Sequence, residues 1–288
     1  MQQIKKIGNS FWYMTPVSET DRPILGMVVG KEKTLMIDAG NSEAHAQLFL
    51  EMLKEQNVTS PDFVVLTHWH WDHIFGLPVL QDALTIAHTE TKKEMQKLVS
   101  YEWTDDALDA RVKEGTEIEF CADCIKKEFS EQTRNIKIIP PTVTFQNQIE
   151  LDLGEVTCVL KHVGGDHAHD SVVMYIKEEK ILFLGDCIYA DIFSSNWNYT
   201  TKRTFKLIDE LEKFDAETYI LSHGTAINRD EFLQEMHLLK TVGTYTETYK
   251  GDTEKIKVAY KQELDRELNE DELETIEYFI NGYEMIKM

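Results

Sequence analysis

Positive charge is scarce in this sequence: 30 Lys and Arg stand against 51 Asp and Glu in 288 residues, a formal net charge of −21. Phosphate backbones and anionic head groups are gripped by Lys- and Arg-rich faces, so the deficit argues against nucleic acid and against a membrane surface as partners. Long apolar runs are missing too. The longest, at 63–66 and 181–184, are strand-sized and too short to span a bilayer. The first ten residues carry no apolar segment and no small-residue cleavage site, so the expected compartment is the cytoplasm. Only four cysteines occur, Cys121, Cys124, Cys158 and Cys187. That is no disulfide framework, and a reducing compartment would keep them as thiols. With 6 Pro and 14 Gly against 42% hydrophobic residues, disorder and low complexity are excluded. No short-period repeat suggests a solenoid or propeller, and no Gly/Ser-rich linker divides the chain.

What is present alternates between strand and helix patterns. Apolar runs at 24–29 and 34–37 flank a polar turn and read as a hairpin. Ala44, Leu48, Phe49, Met52 and Leu53 then recur at helical spacing behind Ser42 as N-cap, which predicts a helix over 43–56. Strands follow at 63–66 and 84–87, with a helix from Thr89 or Thr91 to about residue 100. Residues 101–137 are polar and weakly periodic, and read as an insertion of helix and loop over one face. Strand patterns resume at 143–145, 149–151, 156–162, 171–176 and 181–184, followed by a helix at 205–214, a strand at 218–221 and a helix from Asp230. From Asp252 the chain reads as helical, with Asn269 capping the last helix. The order is that of one domain, 1–250, with two similar halves and a helical extension, 251–288, packed on it. That extension either caps a pocket or forms a homodimer surface; the sequence leaves both open.

The segment Thr67-His68-Trp69-His70-Trp71-Asp72-His73 places three imidazoles and a carboxylate within six residues, directly after an apolar strand. Imidazole and carboxylate are the ligands of a borderline divalent ion such as zinc. His68 and His70 alternate along extended chain and point the same way, whereas Asp72 and His73 lie past the bend, so two metal positions are geometrically natural. His167, Asp186 and His223 each follow an apolar strand in the same manner. The carboxyl ends of strands gather along one edge of an α/β sheet, where such ligands converge.

The motifs His68-Trp69-His70-Trp71-Asp72-His73, Gly165-Asp166-His167 with Asp170-Ser171, Gly185-Asp186 and Ser222-His223-Gly224 resemble, in order and separation, the metal motifs of the metallo-β-lactamase superfamily. Asp38-Ala39-Gly40 is similar to that family's Asp-x-Gly turn, and the resemblance covers about residues 20–245. It implies a four-layer αββα sandwich of two mixed sheets with helices outside. His68, His70 and His167 would bind a first metal, and Asp72, His73 and His223 a second. Asp186 would bridge the two ions, zinc first, with iron or manganese as alternatives. It further implies hydrolysis, a hydroxide shared by the ions attacking the carbonyl of a small ester, thioester, lactone or amide while Asp72 orients it. Asp38, His162, His169 and Asp170 are expected to orient the ligand rings.

Within the superfamily, the absent export signal argues against a secreted β-lactamase. The acidic 252–288 segment argues against a glutathione thioester, and the acidic charge and short insertion against a nucleic-acid processor. A mononuclear iron oxygenase resembling persulfide dioxygenases is the alternative in a different reaction class, and a phosphodiesterase the alternative among hydrolases. Cys187 reads as a buried thiol and not a ligand. Trp71, Trp197 and Tyr189 are the expected pocket walls, with Trp103 and Phe193 as weaker candidates. Cys121 and Cys124 have the spacing of half a zinc knuckle but no second pair.

Overall fold

The computed structural model describes residues 2–130 and 134–287. Met1, residues 131–133 and Met288, which the expected domain, insertion and extension include, lie outside the described residues. The first sheet has seven strands in chain order: β1 (Ile4–Ile7), β2 (Phe11–Met14), β3 (Leu25–Val29), β4 (Thr34–Ile37), β5 (Phe63–Val65), β6 (Leu84–His88) and β7 (Val143–Phe145). The first four pair antiparallel, and β4 to β7 run parallel. The second sheet has six strands: β8 (Gln148–Asp152), β9 (Thr157–His162), β10 (Val172–Ile176), β11 (Ile181–Gly185), β12 (Thr218–Leu221) and β13 (Ala226–Asn228). All pair antiparallel except β11 with β12.

Helices α1 (Glu43–Glu55), α2 (Trp71–Ile74), α3 (Thr89–Leu98), α4 (Asp105–Glu114) and α5 (Glu119–Glu128) belong to the first half, and α6 (Thr201–Leu211), α7 (Arg229–Tyr249), α8 (Thr253–Leu264) and α9 (Glu270–Lys287) to the second. The layering follows from strands that are apolar on both faces. On β4, Leu35 and Ile37 pack between the sheets while Met36 packs under the first-half helices. On β11, Ile181 and Phe183 face the other sheet while Leu182 and Leu184 face the second-half helices. The result is the four-layer αββα sandwich expected from the motifs, with three apolar layers between its four structural ones. Among the described residues, no helix is long and apolar enough to cross a membrane.

Most elements fall where the periodicity predicts them, and the differences have physical reasons. The hairpin of β1 and β2 and the short edge strand β13 were not expected. Strand β2 is apolar on both faces, so it has no alternation, and β1 has only half-buried and exposed positions. The insertion contains two helices, α4 capped by the Thr104 hydroxyl and α5 begun at Ile118 without a side-chain cap. Helix α6 begins at Thr201, ahead of the apolar stripe at 205, because its first turn is fixed from outside. The Asp166 carboxylate accepts from the Thr200 amide at 3.0 Å, the Thr200 hydroxyl at 2.6 Å and the Thr204 hydroxyl at 3.0 Å. A carboxylate at a helix N-terminus satisfies free N–H groups and suits the dipole. It also pins the loop that carries His167. Asn269 caps α9 as expected, exchanging hydrogen bonds of 2.8 Å in both directions with Glu272.

Candidate metal centre

The candidate ligands lie along one edge of the sandwich, Asp72 and His73 on the short helix α2 and the others in segments that follow strand ends. The left-handed backbone at Asp38, with φ 59°, turns its carboxylate back under this edge after β4. There Asp38 accepts from the Thr67 amide at 2.7 Å and the Thr67 hydroxyl at 2.9 Å, and lies 2.8 Å from Nδ1 of His73. Thr67 Oγ1 has thereby spent its proton, so it accepts from Nδ1 of His68 at 3.0 Å. Nε2 of His73 is turned towards the Asp72 and Asp186 carboxylates, and Nε2 of His68 is left as a free lone pair. His167 is set likewise, its Nδ1 donating to the Ala190 carbonyl at 3.1 Å. At Gly165, with φ 140°, a side chain would meet the Cys187 carbonyl at 2.7 Å, so glycine permits the close approach of this loop to the end of β11.

Two clusters result. In the first, His68, His70 and His167 offer ligand atoms within 4.8 Å of one another, with His70 Nδ1 3.0 Å from His167 Nε2. In the second, Asp72, His73, Asp186 and His223 do the same. Oδ2 of Asp72 lies 2.9 Å from His73 Nε2 and 3.1 Å from His223 Nε2; Oδ2 of Asp186 lies 3.1 and 3.3 Å from the same two nitrogens. Asp186 also reaches the first cluster, 3.6 Å from His167 and 3.8 Å from His68.

The clusters differ electrically. Burial pushes His68 and His70 well below the ordinary imidazole value of 6.5, and lowers His167 as well. Burial acts on His73 and His223 too, but the surrounding carboxylates outweigh it and hold both well above that value. Desolvation would raise Asp72 and Asp186; the charge of His73 on the former and of His223 on the latter keeps both low. Buried without a hydrogen-bond partner are Nε2 of His68 and Oδ1 of Asp186. Buried polar atoms are rarely left so. A nitrogen trio beside a mixed carboxylate and imidazole set, with orphaned lone pairs, fits divalent cations.

Of the residues expected to orient the rings, Asp38 does so. His162, His169 and Asp170 do not, and the expectation is corrected: the Ala190 carbonyl sets His167. His162 stacks on His88 with ring centres 3.8 Å apart, and His169 Nε2 lies 3.8 Å from Glu94. Asp170 is buried near Thr91, and desolvation pushes it up to about 6. Asp21, not singled out in the sequence, lies 3.2 Å from Nδ1 of His223. Burial and the neighbouring Asp72 push Asp21 up to about 7. Cys187 is buried in the core under the second-half helices, its thiol pushed up by burial. Among the described residues, Cys121, Cys124 and Cys187 join no ligand cluster.

A cavity of about 360 Å³ opens over both clusters. Trp71, Tyr189 and Trp197 line it, as expected, together with Phe193 and Tyr199. Trp103 packs against Phe75 behind the site instead, with ring centres 4.8 Å apart. Less expected are two other contributors: the insertion supplies Phe120 and Cys121, and α9 supplies Glu274 and Tyr278.

Residues 22–223 match the family model described as the metallo-beta-lactamase superfamily. The chain is 24% identical over 197 residues to the acyl-coenzyme A thioesterase MBLAC2 of Homo sapiens, a match covering 64% of this chain and 66% of that protein. It thus spans just under two thirds of that relative's length. Among solved structures, a metallo-beta-lactamase from Pontibacter korlensis superposes with a TM-score of 0.56 at 21% identity, covering 82% of this chain and 99% of that one. The sec-alkylsulfatase Pisa1 from Pseudomonas sp. gives 0.64 at 13% identity, covering 90% of this chain and 45% of that one. At such identities the two structures speak for the fold.

Proposed function

The chain belongs to the metallo-β-lactamase superfamily, and from that premise we propose that it is a dinuclear, zinc-dependent hydrolase cleaving the carbonyl bond of a small ester, thioester, lactone or amide. One observation carries the reading: two ligand clusters meet at Asp186 on the floor of a single aromatic-walled cavity. His68, His70 and His167 would hold one ion, Asp72, His73 and His223 the other, and Asp186 both. Bound there, divalent cations supply Lewis acidity for a carbonyl oxygen and make a water acidic near neutral pH. The chain's own groups do the rest. Asp72 Oδ2, buried beside Nε2 of His73 and of His223, is placed to accept a hydrogen bond from the attacking water and so aim its lone pair. The Asp38 carboxylate fixes the His73 ring, and Thr67 fixes that of His68, so the ligands are oriented before substrate arrives. Trp71 and Tyr189 exclude water from the flanks. The thioesterase among the relatives supports the thioester among these bonds.

The test is metal analysis of protein purified without added metal, followed by assays on ester, thioester, lactone and phosphodiester substrates. About two zinc ions per chain with carbonyl-bond hydrolysis is the expected result. One iron per chain with oxygen uptake would replace the reading with a mononuclear oxygenase, and cleavage confined to phosphodiesters with a phosphodiesterase.

A further inference from the structure

Resting on the hydrolase reading of this cavity, we propose that its mouth is a seat for a cationic group, so that the preferred substrates carry an ammonium remote from the scissile carbonyl. Helix α9 places Glu274 and Tyr278 one turn apart on the side lining the cavity. Tilted aromatic rings line the same cavity. Tyr278 lies 5.8 Å from Trp197 at 54° and 6.1 Å from Tyr199 at 55°, centre to centre. Rings that meet at an angle present several electron-rich faces to one point, the arrangement that attracts an ammonium group.

The seat is rigid. The Trp197 carbonyl accepts from Asn281 Nδ2 at 2.9 Å, and the Tyr199 amide donates to the Tyr278 carbonyl at 3.0 Å. Gly282 lets α9 approach so closely that an added side chain would lie 2.0 Å from the Tyr199 carbonyl oxygen. Charge points the same way. Among the described residues no Lys or Arg lines the cavity, whereas Asp21 and Glu274 both do. Glu272, on the same helix, is taken by Arg266; Glu274 has no such partner among the described residues. A cationic group gives this solvent-facing carboxylate a partner that a polyanionic or neutral leaving group does not.

Choline and its uncharged isostere 3,3-dimethylbutan-1-ol separate charge from shape, and tryptophan fluorescence titration of the metal-free protein reads their binding without any turnover. Choline is expected to bind about tenfold or more tightly than the isostere. In Glu274→Gln that ratio should fall towards one, and in Tyr278→Leu, which removes one of the rings, to an intermediate value. Equal binding of the two probes, or a ratio unchanged by Glu274→Gln, overturns the proposal. Hydrolysis of butyrylcholine and of 3,3-dimethylbutyl butyrate by zinc-loaded protein checks the hydrolase reading separately. If no ester, thioester, lactone or amide is cleaved while the binding ratio and its loss persist, that reading fails and the cation seat stands.

Discussion

The two ligand clusters sit side by side yet are built on opposite principles. The trio of His68, His70 and His167 is uncharged, its rings held neutral by burial and fixed by a threonine and a backbone carbonyl. The group of Asp72, His73, Asp186 and His223 is a mesh of opposite charges at 2.9 to 3.3 Å. Without a cation the second can satisfy itself as ion pairs, at the desolvation cost that buried pairs carry. In the trio only His70 Nδ1 and His167 Nε2 can pair, at 3.0 Å, and Nε2 of His68 is left without a partner. The difference teaches that similar ligand counts do not mean similar readiness for metal. The trio is preorganised and vacant in charge, whereas the mesh must exchange internal pairs for the ion.

Asp186 belongs to the mesh but reaches the trio, so Asp186→Ala should blur the contrast most. Hydrolysis is expected to fall by about a thousandfold or more, with metal content dropping together with it. Full activity in this variant would refute the bridging role. Asp38→Asn acts on the mesh through His73 and on the trio only through Thr67. Metal affinity should fall by about 10- to 100-fold, as measured by competition with a chromogenic chelator. An equal loss at both sites would show that the clusters are one unit.

A smaller effect separates them by pH in metal-free protein. His70 stays neutral when folded, so below its ordinary value of 6.5 the unfolded chain binds a proton that the folded chain does not, and stability falls with falling pH. His223 is the reverse: its folded value is raised, so its contribution is full below 6.5 and is lost as pH rises through the folded value. His70→Asn should therefore flatten the acid side of a melting-temperature profile and His223→Asn the alkaline side, each by about 2–4 °C. Identical profiles for the two variants would erase the electrical distinction.

The candidate ligands were legible because the motif residues follow strands whose apolar runs are unmistakable. Phe63 to Leu66 and Ile181 to Leu184 announce their own ends, and the ligands come next. Asp21 was invisible because nothing local marks it: it closes a single turn in a left-handed conformation, φ 55°, and meets His223 only through the tertiary fold. The Ala190 carbonyl could not be found from side-chain chemistry at all. Glu274 and Tyr278 lie about fifty residues beyond the last motif, on a helix whose pattern records only its packing against the core. Asp166 was quoted as part of a motif, yet its task of capping α6 depends on threonines more than thirty residues away.

Each ligand cluster draws on both sheets. His68 and His70 follow β5 of the first and His167 leaves β9 of the second; Asp72 and His73 belong to the first half, Asp186 and His223 to the second. Any ion held there would act as a cross-link between the halves of the sandwich. Folding would then be linked to metal supply, with apparent stability rising by about 1.4 kcal/mol for each tenfold of free ion above its dissociation constant. Starved of metal, such a protein would lose that share of its stability together with its activity.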